Sequence, residues 1–308
     1  MAPPIDLEAI KQMSWTITTT YTPSTIIIYA LALGVKGTDL AHCFEAHPDF
    51  SAPPTFGAIP VIAIMGPVTR SMPSFLPNFQ PHNHVHGEHY LELKSPFPAC
   101  GTTTLTTTAK ILDIVDRRSG VTVAVGITTV DASTGLQICY NEWTSFIKSV
   151  PGAGLSTKPN PRGAATATHP APKRAPDAVL SHKTSPEQSA LYRAASGDLN
   201  PLHIDPAVAK RGGFPGPLLT GTCTLGMGVL HVIGAFAHGD FGRFKNVKVR
   251  LSGPVFPGEV VRTEMWREDG GRRVVYRQVV GEGKAERVVI SQAAVELNAG
   301  DSVGESRL

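Results

Sequence analysis

Residues 151–176 read PGAGLSTKPNPRGAATATHPAPKRAP, with six prolines and almost no large apolar side chain. Such a tract cannot bury enough surface to order itself compactly, so it reads as a linker. It divides the 308-residue chain into two parts of similar length. The two parts look alike, and this resemblance constrains the fold more than any other property of the sequence.

In the second part, 185–195 reads as a short helix and 197–201 as a turn. An apolar segment over 218–237, rich in small residues (Gly221, Gly226, Gly228, Gly234), reads as a buried helix. Strands are expected over 247–251, 259–268, 272–280 and 286–297, from their alternation and β-branched content. The first part has early helix and loop segments over 25–33 and 52–65. It then ends in Thr/Val/Ile-rich strands over 89–93, 102–116, 121–131 and 136–147. The joints correspond too: Ser95-Pro96-Phe97-Pro98 stands where the second part has Ser252-Gly253-Pro254-Val255-Phe256-Pro257. This is a diverged internal duplication. A helix wrapped by a long antiparallel sheet, occurring twice, predicts an α+β double hot dog fold. The expected division is a first repeat over 1–150, a linker over 151–177 and a second repeat over 178–308.

Hydrophobic residues make up 42% and charged residues 17% of the chain, which excludes wholesale disorder. A formal charge of +3 without a dense Lys/Arg stripe argues against a nucleic-acid surface and favours an anionic small ligand. Cys43, Cys100, Cys139 and Cys223 are far apart, without a C-x-x-C pair, and read as reduced thiols. No apolar run is long enough to span a bilayer, and the N-terminus lacks the layout of a signal peptide. The chain ends Ser306-Arg307-Leu308, a one-step variant of the Ser-Lys-Leu address. This predicts peroxisomal import through the receptor that reads it.

The candidate chemistry lies in Ser196-Gly197-Asp198-Leu199-Asn200-Pro201-Leu202-His203-Ile204-Asp205. Asp198 and His203 are an acid and an imidazole five residues apart across an almost obligatory turn. Together they are equipped to activate a water and move its protons. Asn200 holds the turn or orients the acid; Asp205 reads as a surface or helix-cap group. Gly221, 23 residues after Asp198, opens the apolar helix, where a free N–H suits an oxygen gaining negative charge. The same glycine also permits close helix–sheet packing. The run His82-Asn83-His84-Val85-His86-Gly87-Glu88-His89 is not expected to bind a metal, because ligands must converge from more than one element; a part in a substrate pocket is the expectation for His86 and Gly87, on the resemblance given below. Arg117 is the basic residue best placed to screen a phosphorylated ligand. Arg118, Arg243, Lys245 and Lys248 read as solvated loop charge.

The turn carrying Asp198 and His203 resembles the signature of the hydratase 2 / MaoC-like dehydratases, R-specific enoyl-CoA hydratases. Supporting matches over nearly the whole chain include Tyr29 to Gly34, Pro54 to Gly57, His86 to Leu93, Pro217 to Leu225 and Pro257 to Trp266. The resemblance implies a double hot dog fold and a reversible addition of water to trans-2-enoyl-CoA, giving (3R)-3-hydroxyacyl-CoA without cofactor or metal. Carried over position by position, Asp198 and His203 match the catalytic pair, and Gly221 matches the glycine whose N–H binds the thioester oxygen. His86, Gly87, Arg117 and Leu251 match acyl-CoA contacts. Three positions depart from the pattern: Thr220 stands where a histidine is common, Arg117 replaces a lysine, and Leu251 stands where an aromatic is frequent. The first repeat, without an acid–histidine turn, would give room to the acyl tail. A homodimer follows from the family's pairing of sheets. A hot dog thioesterase and a non-catalytic acyl-CoA-binding protein are the alternatives, and general β-oxidation competes with a specialised acyl-CoA pathway.

Overall fold

The computed structural model describes residues 5–150 and 155–299; the Ser306-Arg307-Leu308 tripeptide lies outside the described residues. The first repeat opens with α1 (Leu7–Lys11), capped by the Asp6 carboxylate, which accepts the Ala9 N–H. Strand β1 (Ser14–Tyr21) leads to α2 (Pro23–Ala32), begun by a Thr22–Thr25 capping box with Pro23 at its first position. A short α3 (Leu40–Cys43) and a 3-10 turn at Pro54–Ala58 lead into α4 (Ile59–Ser71). Strands β2 (His84–Leu93), β3 (Thr103–Arg117), β4 (Gly120–Asp131) and β5 (Gln137–Lys148) complete it.

The second repeat runs in the same order. It comprises β6 (Ala178–Lys183), α5 (Gln188–Ser196), a short α6 (Pro206–Arg211) and α7 (Gly221–Phe236). Then come β7 (Phe244–Leu251), β8 (Val260–Glu268), β9 (Arg273–Val280) and β10 (Arg287–Leu297).

The ten strands make one sheet in the order β1-β3-β4-β5-β2-β7-β10-β9-β8-β6. Counted from either edge inward, the order is first, third, fourth, fifth and second strand of a repeat. The halves meet where β2 pairs antiparallel with β7, from Glu88↔Arg250 to Glu92↔Asn246. Helix α4 buries Val61, Ile64, Met65 and Val68 against Ile111, Val123 and Val125 of its own sheet. Helix α7 shares a larger core with both repeats, including Tyr29, Tyr192, Val229, Val249 and Tyr276. Each fully buried aliphatic or aromatic side chain contributes about 1.5–3 kcal/mol, so the long helices are held mainly by this face. The protein is a double hot dog.

The equivalence extends to single residues. Helices α2 and α5 pack together, with the Tyr29 and Tyr192 rings 5.7 Å apart. Five residues after each tyrosine stands a glycine in the left-handed region, Gly34 (φ 93°) and Gly197 (φ 66°), which turns the chain out of its helix. Asp198 follows Gly197, whereas Val35 follows Gly34.

Three features differ from the sequence reading. Strands β1 and β6 are additional; β1 is a Thr-rich edge strand, and β6 is short and directly follows the proline-rich tract. Strand β2 begins at His84 rather than 89, because a bulge between His86 and Glu88 breaks the alternation that would have revealed it. The tract over 155–177 carries only a 3-10 turn, Gly163–Thr166, yet polar anchors pin it to the sheet. Arg162 Nε lies 2.9 Å from Glu142 Oε2, the Trp266 indole donates to the Arg174 carbonyl at 2.9 Å, and the Arg267 N–H donates to Asp177 at 2.7 Å. Reasoning from apolar content alone overlooks such anchors.

Candidate active site

The turn after α5 is assembled by its own polar groups. Asp198 Oδ1 accepts the Asn200 N–H at 2.9 Å, and Asn200 Oδ1 in turn caps the next turn by accepting the Leu202 N–H at 3.1 Å. The Arg193 guanidinium reaches back from α5 to donate to the Asp198 carbonyl at 2.6 Å. Asp205 caps α6 by accepting the Ala207 and Val208 N–H groups, the role expected of it.

His203 Nδ1 lies 2.9 Å from the Leu218 carbonyl oxygen. A carbonyl only accepts, so Nδ1 carries a proton, which in the neutral ring leaves Nε2 as the accepting nitrogen. Nε2 faces Asp198 Oδ2 at 3.8 Å, with both side chains about one-seventh exposed (14% and 13%). That gap is too long for a direct hydrogen bond. One water oxygen, about 2.8 Å from each atom, would close the triangle. The same carboxylate oxygen accepts the Thr220 hydroxyl at 3.3 Å.

Thr220 is the N-cap of α7 and Gly221 its first residue. Among the described residues the Gly221 N–H has no acceptor, as expected of a first-turn amide. The approach to the helix is fixed from three sides. Leu219 N–H donates to the Val255 carbonyl at 2.8 Å, Ser189 Oγ to the Leu218 carbonyl at 3.4 Å, and Tyr192 Oη to Thr222 Oγ1 at 2.8 Å. Burial, first of all, pushes the Tyr192 hydroxyl well above its ordinary range, so it stays a neutral donor. A Cβ on Gly221 would come within 2.6 Å of Leu251 Cδ1, so this wall admits only glycine without movement.

The opposite repeat supplies the facing wall. One residue beyond the Glu88↔Arg250 pair stand Gly87 on β2 and Leu251 on β7. His86 stacks on Trp143 with ring centroids 3.3 Å apart and contacts His89 through a 3.3 Å Nε2···Nδ1 approach. His89 Nε2 lies 3.0 Å from Asn141 Oδ1, and His84 Nε2 lies 2.5 Å from Ser145 Oγ. Desolvation by burial depresses all three imidazoles, His84 and His89 to about 4 and His86 well below its usual value. They are therefore neutral at pH 7, and their ring nitrogens serve as hydrogen-bonding groups.

The structure thus brings Asp198, Asn200, His203, Gly221 and Leu251 together, with His86 and Gly87 at the seam beside them. Arg117 stands apart at the end of β3, four strand spacings or about 19 Å from β7, with its guanidinium donating to the Thr157 carbonyl at 3.0 Å. Lys248 is not solvated loop charge: it is 6% exposed on β7 and pairs with Glu88 at 2.6 Å. Lys245 and Arg243 also have partners, Glu296 and the Asn298 carbonyl, while Arg118 is exposed. Sequence reasoning missed three contributors: the Leu218 carbonyl, Arg193, and the contact of Thr220 with Asp198. Only Thr220 left a trace, as a departure from the pattern just before Gly221.

Two family models match in tandem: the MFE-2 hydratase 2 N-terminal domain over residues 19–149 and the MaoC like domain over residues 167–289. The chain is 44% identical over 283 residues to a peroxisomal hydratase-dehydrogenase-epimerase of Neurospora crassa, covering 90% of this chain and 30% of that one. It is 36% identical to a probable enoyl-CoA hydratase 2 of Dictyostelium discoideum, covering 79% of this chain and 80% of that one. A crystal structure of a MaoC-like dehydratase from Phytophthora capsici superposes with a TM-score of 0.82 at 29% identity, covering 96% and 98% of the two chains. The chain spans less than half the length of the first three curated relatives it matches: 30%, 45% and 36%.

Proposed function

The chain belongs to the hydratase 2 / MaoC-like dehydratase family, and from that premise we propose that it is a hydro-lyase. Its reaction adds water reversibly to a trans-2-enoyl-CoA to give the (3R)-3-hydroxyacyl-CoA, in peroxisomal β-oxidation or a specialised acyl-CoA pathway. The observation that carries the reading is the Asp198 Oδ2···Nε2 His203 gap of 3.8 Å, sized for one water.

In the proposed reaction, the thioester oxygen lies against the Gly221 N–H. His203 Nε2 takes a proton from the water as its hydroxyl oxygen bonds to C3, and electron density moves to the thioester oxygen as an enolate. The imidazolium then returns the proton to C2 from the same face, restoring the thioester. Asp198, held in place by the Asn200 and Thr220 donors, orients the water and stabilises the imidazolium. No metal or redox group takes part in these steps. Leu251, His86 and Gly87 flank the acyl-thioester, and Arg117 meets the CoA phosphates. The first repeat, 1–150, accommodates the acyl tail, the second, 178–308, carries the chemistry, and the chain works as a homodimer.

The test is the loss of enoyl-thioester absorbance with trans-2-enoyl-CoA substrates of increasing length, followed by assignment of the product's C3 configuration. An (S) product, or release of free thiol instead of hydration, overturns the proposal.

A further inference from the structure

A second chamber lies at the far end of the seam between the repeats. Its volume is about 530 Å³, and its walls include His42, Ser51, Lys94, Phe97, Phe241 and Asn298. They come from the places that build the Asp198–His203 cleft in the other repeat. His42 lies on the short α3 after the first long helix, Ser51 in the run towards the hot dog helix, and Lys94 just past the second strand. The opposite repeat closes the chamber with the turn before β7. Strand β2 separates Gly87 at the cleft from Leu93 at the chamber by six residues, about 20 Å, so the two sites are distinct.

One detail repeats at the level of atoms. His42 Nδ1 lies 3.1 Å from the Ser51 carbonyl oxygen, as His203 Nδ1 lies 2.9 Å from that of Leu218. The His42 ring is 9% exposed and stacks on Phe241 with centroids 4.0 Å apart. Its Nε2 has no partner among the described residues. The acid is not repeated: Val35 follows Gly34 where Asp198 follows Gly197.

We propose that this chamber is a second, non-catalytic site that binds the acyl-pantetheine arm of a CoA thioester without turning it over. The duplication supplies the shape, and the missing carboxylate removes the chemistry. Its volume lies within the range of small-molecule sites. Phe97 and Phe241 suit the methylenes of the arm, and the Ser51 hydroxyl and His42 Nε2 suit its amides. Lys94, 42% exposed and paired with Glu92, stands at the rim for the phosphates. Asp49 and Asp240 also line the chamber, which keeps those phosphates outside. The ligand class rests on the hydratase reading; the existence of the site does not.

The experiment is calorimetric titration of the full chain with octanoyl-CoA, which has no double bond to hydrate. Two molecules per chain are expected for the parent and one for Ala52→Trp, which fills the chamber. Lys94→Glu, a surface change that carries the test if the tryptophan variant fails to fold, should weaken only the second binding event, at least tenfold. Turnover of trans-2-octenoyl-CoA should stay within twofold of the parent in both variants. One molecule per chain in the parent, or two with unchanged affinity in both variants, overturns the proposal. So does a changed chain-length preference at a stoichiometry of one, which assigns the chamber to the substrate's tail. Absence of turnover by the parent sinks the hydratase reading instead, whatever the stoichiometry.

Discussion

The two repeats share strand order, helix order, a buried tyrosine pair and a left-handed glycine after the first long helix. They part company in the next few residues. After Gly197 the chain makes a turn tied by side chains, and Asp198, Asn200 and His203 are all fixed within it. After Gly34 comes Val35, where the other repeat has Asp198, and the histidine that follows is tied to a carbonyl. A scaffold this similar therefore does not by itself specify chemistry. On the proposed reading, what specifies it is one acidic side chain and the two donors that hold it.

The largest effect should come from breaking that difference directly. Asp198→Asn and His203→Ala should each lower kcat for enoyl-CoA hydration by about 10²–10⁴-fold, whereas His42→Ala should leave kcat within twofold. Equal losses in the two repeats would show that the contrast is misread. Next come the glycines that open the two hot dog segments. A Cβ at Gly221 would stand 2.6 Å from Leu251 Cδ1, and one at Gly57 2.8 Å from Leu91 Cδ1. Gly221→Ala should cost about 10²-fold in kcat by displacing the amide. Gly57→Ala should instead cost about 1–3 kcal/mol of stability by overpacking, seen as a lower Tm with kcat intact.

Thr220→Ala should reduce kcat about tenfold, the scale of one hydrogen bond to a charged group. KM should hold within twofold, and Thr220→Ser should recover the parent rate. A KM effect without a kcat effect would mean that Thr220 touches substrate rather than positioning Asp198.

The smallest effect concerns acid stability. His89 is fully buried and its folded value is depressed to about 4 by desolvation. A lowered imidazole value favours the unfolded state as protons are added. The stability is therefore complete above about pH 6.5 and is lost as pH falls towards about 4. At pH 5 the loss from this one group is about 2 kcal/mol, so His89→Gln should flatten the fall in Tm between pH 7 and pH 5. An unchanged slope would remove His89 as a cause.

Much of this was legible because the relevant signals are local. Most of the strands announce themselves by β-branched content, though the equally β-branched β1 escaped, and the Asp198–His203 turn announces itself by Gly197, Asn200 and Pro201, whose conformational demands are strong. Apart from Arg193, five positions from Asp198, the residues that escaped notice act through distance in the chain. The Leu218 oxygen fixes the His203 tautomer across 15 positions, and Arg162 pins a proline-rich strap to Glu142 across 20. A main-chain carbonyl has no identity in a one-letter code, and ion pairs of this kind have no period. The β2 bulge hid half of its strand for a related reason: one extra residue inverts the alternation on which strand reading depends.

The β2–β7 seam has a further consequence. Because the seam sets β2 of one repeat against β7 of the other, and Leu251 at the end of β7 packs on Gly221, a site at this end would draw on both repeats. Two identical subunits placed this way would carry every mutation twice, once on each side of the axis. Joined in a single polypeptide, one side is free to drift towards new cargo while its neighbour stays under selection for turnover.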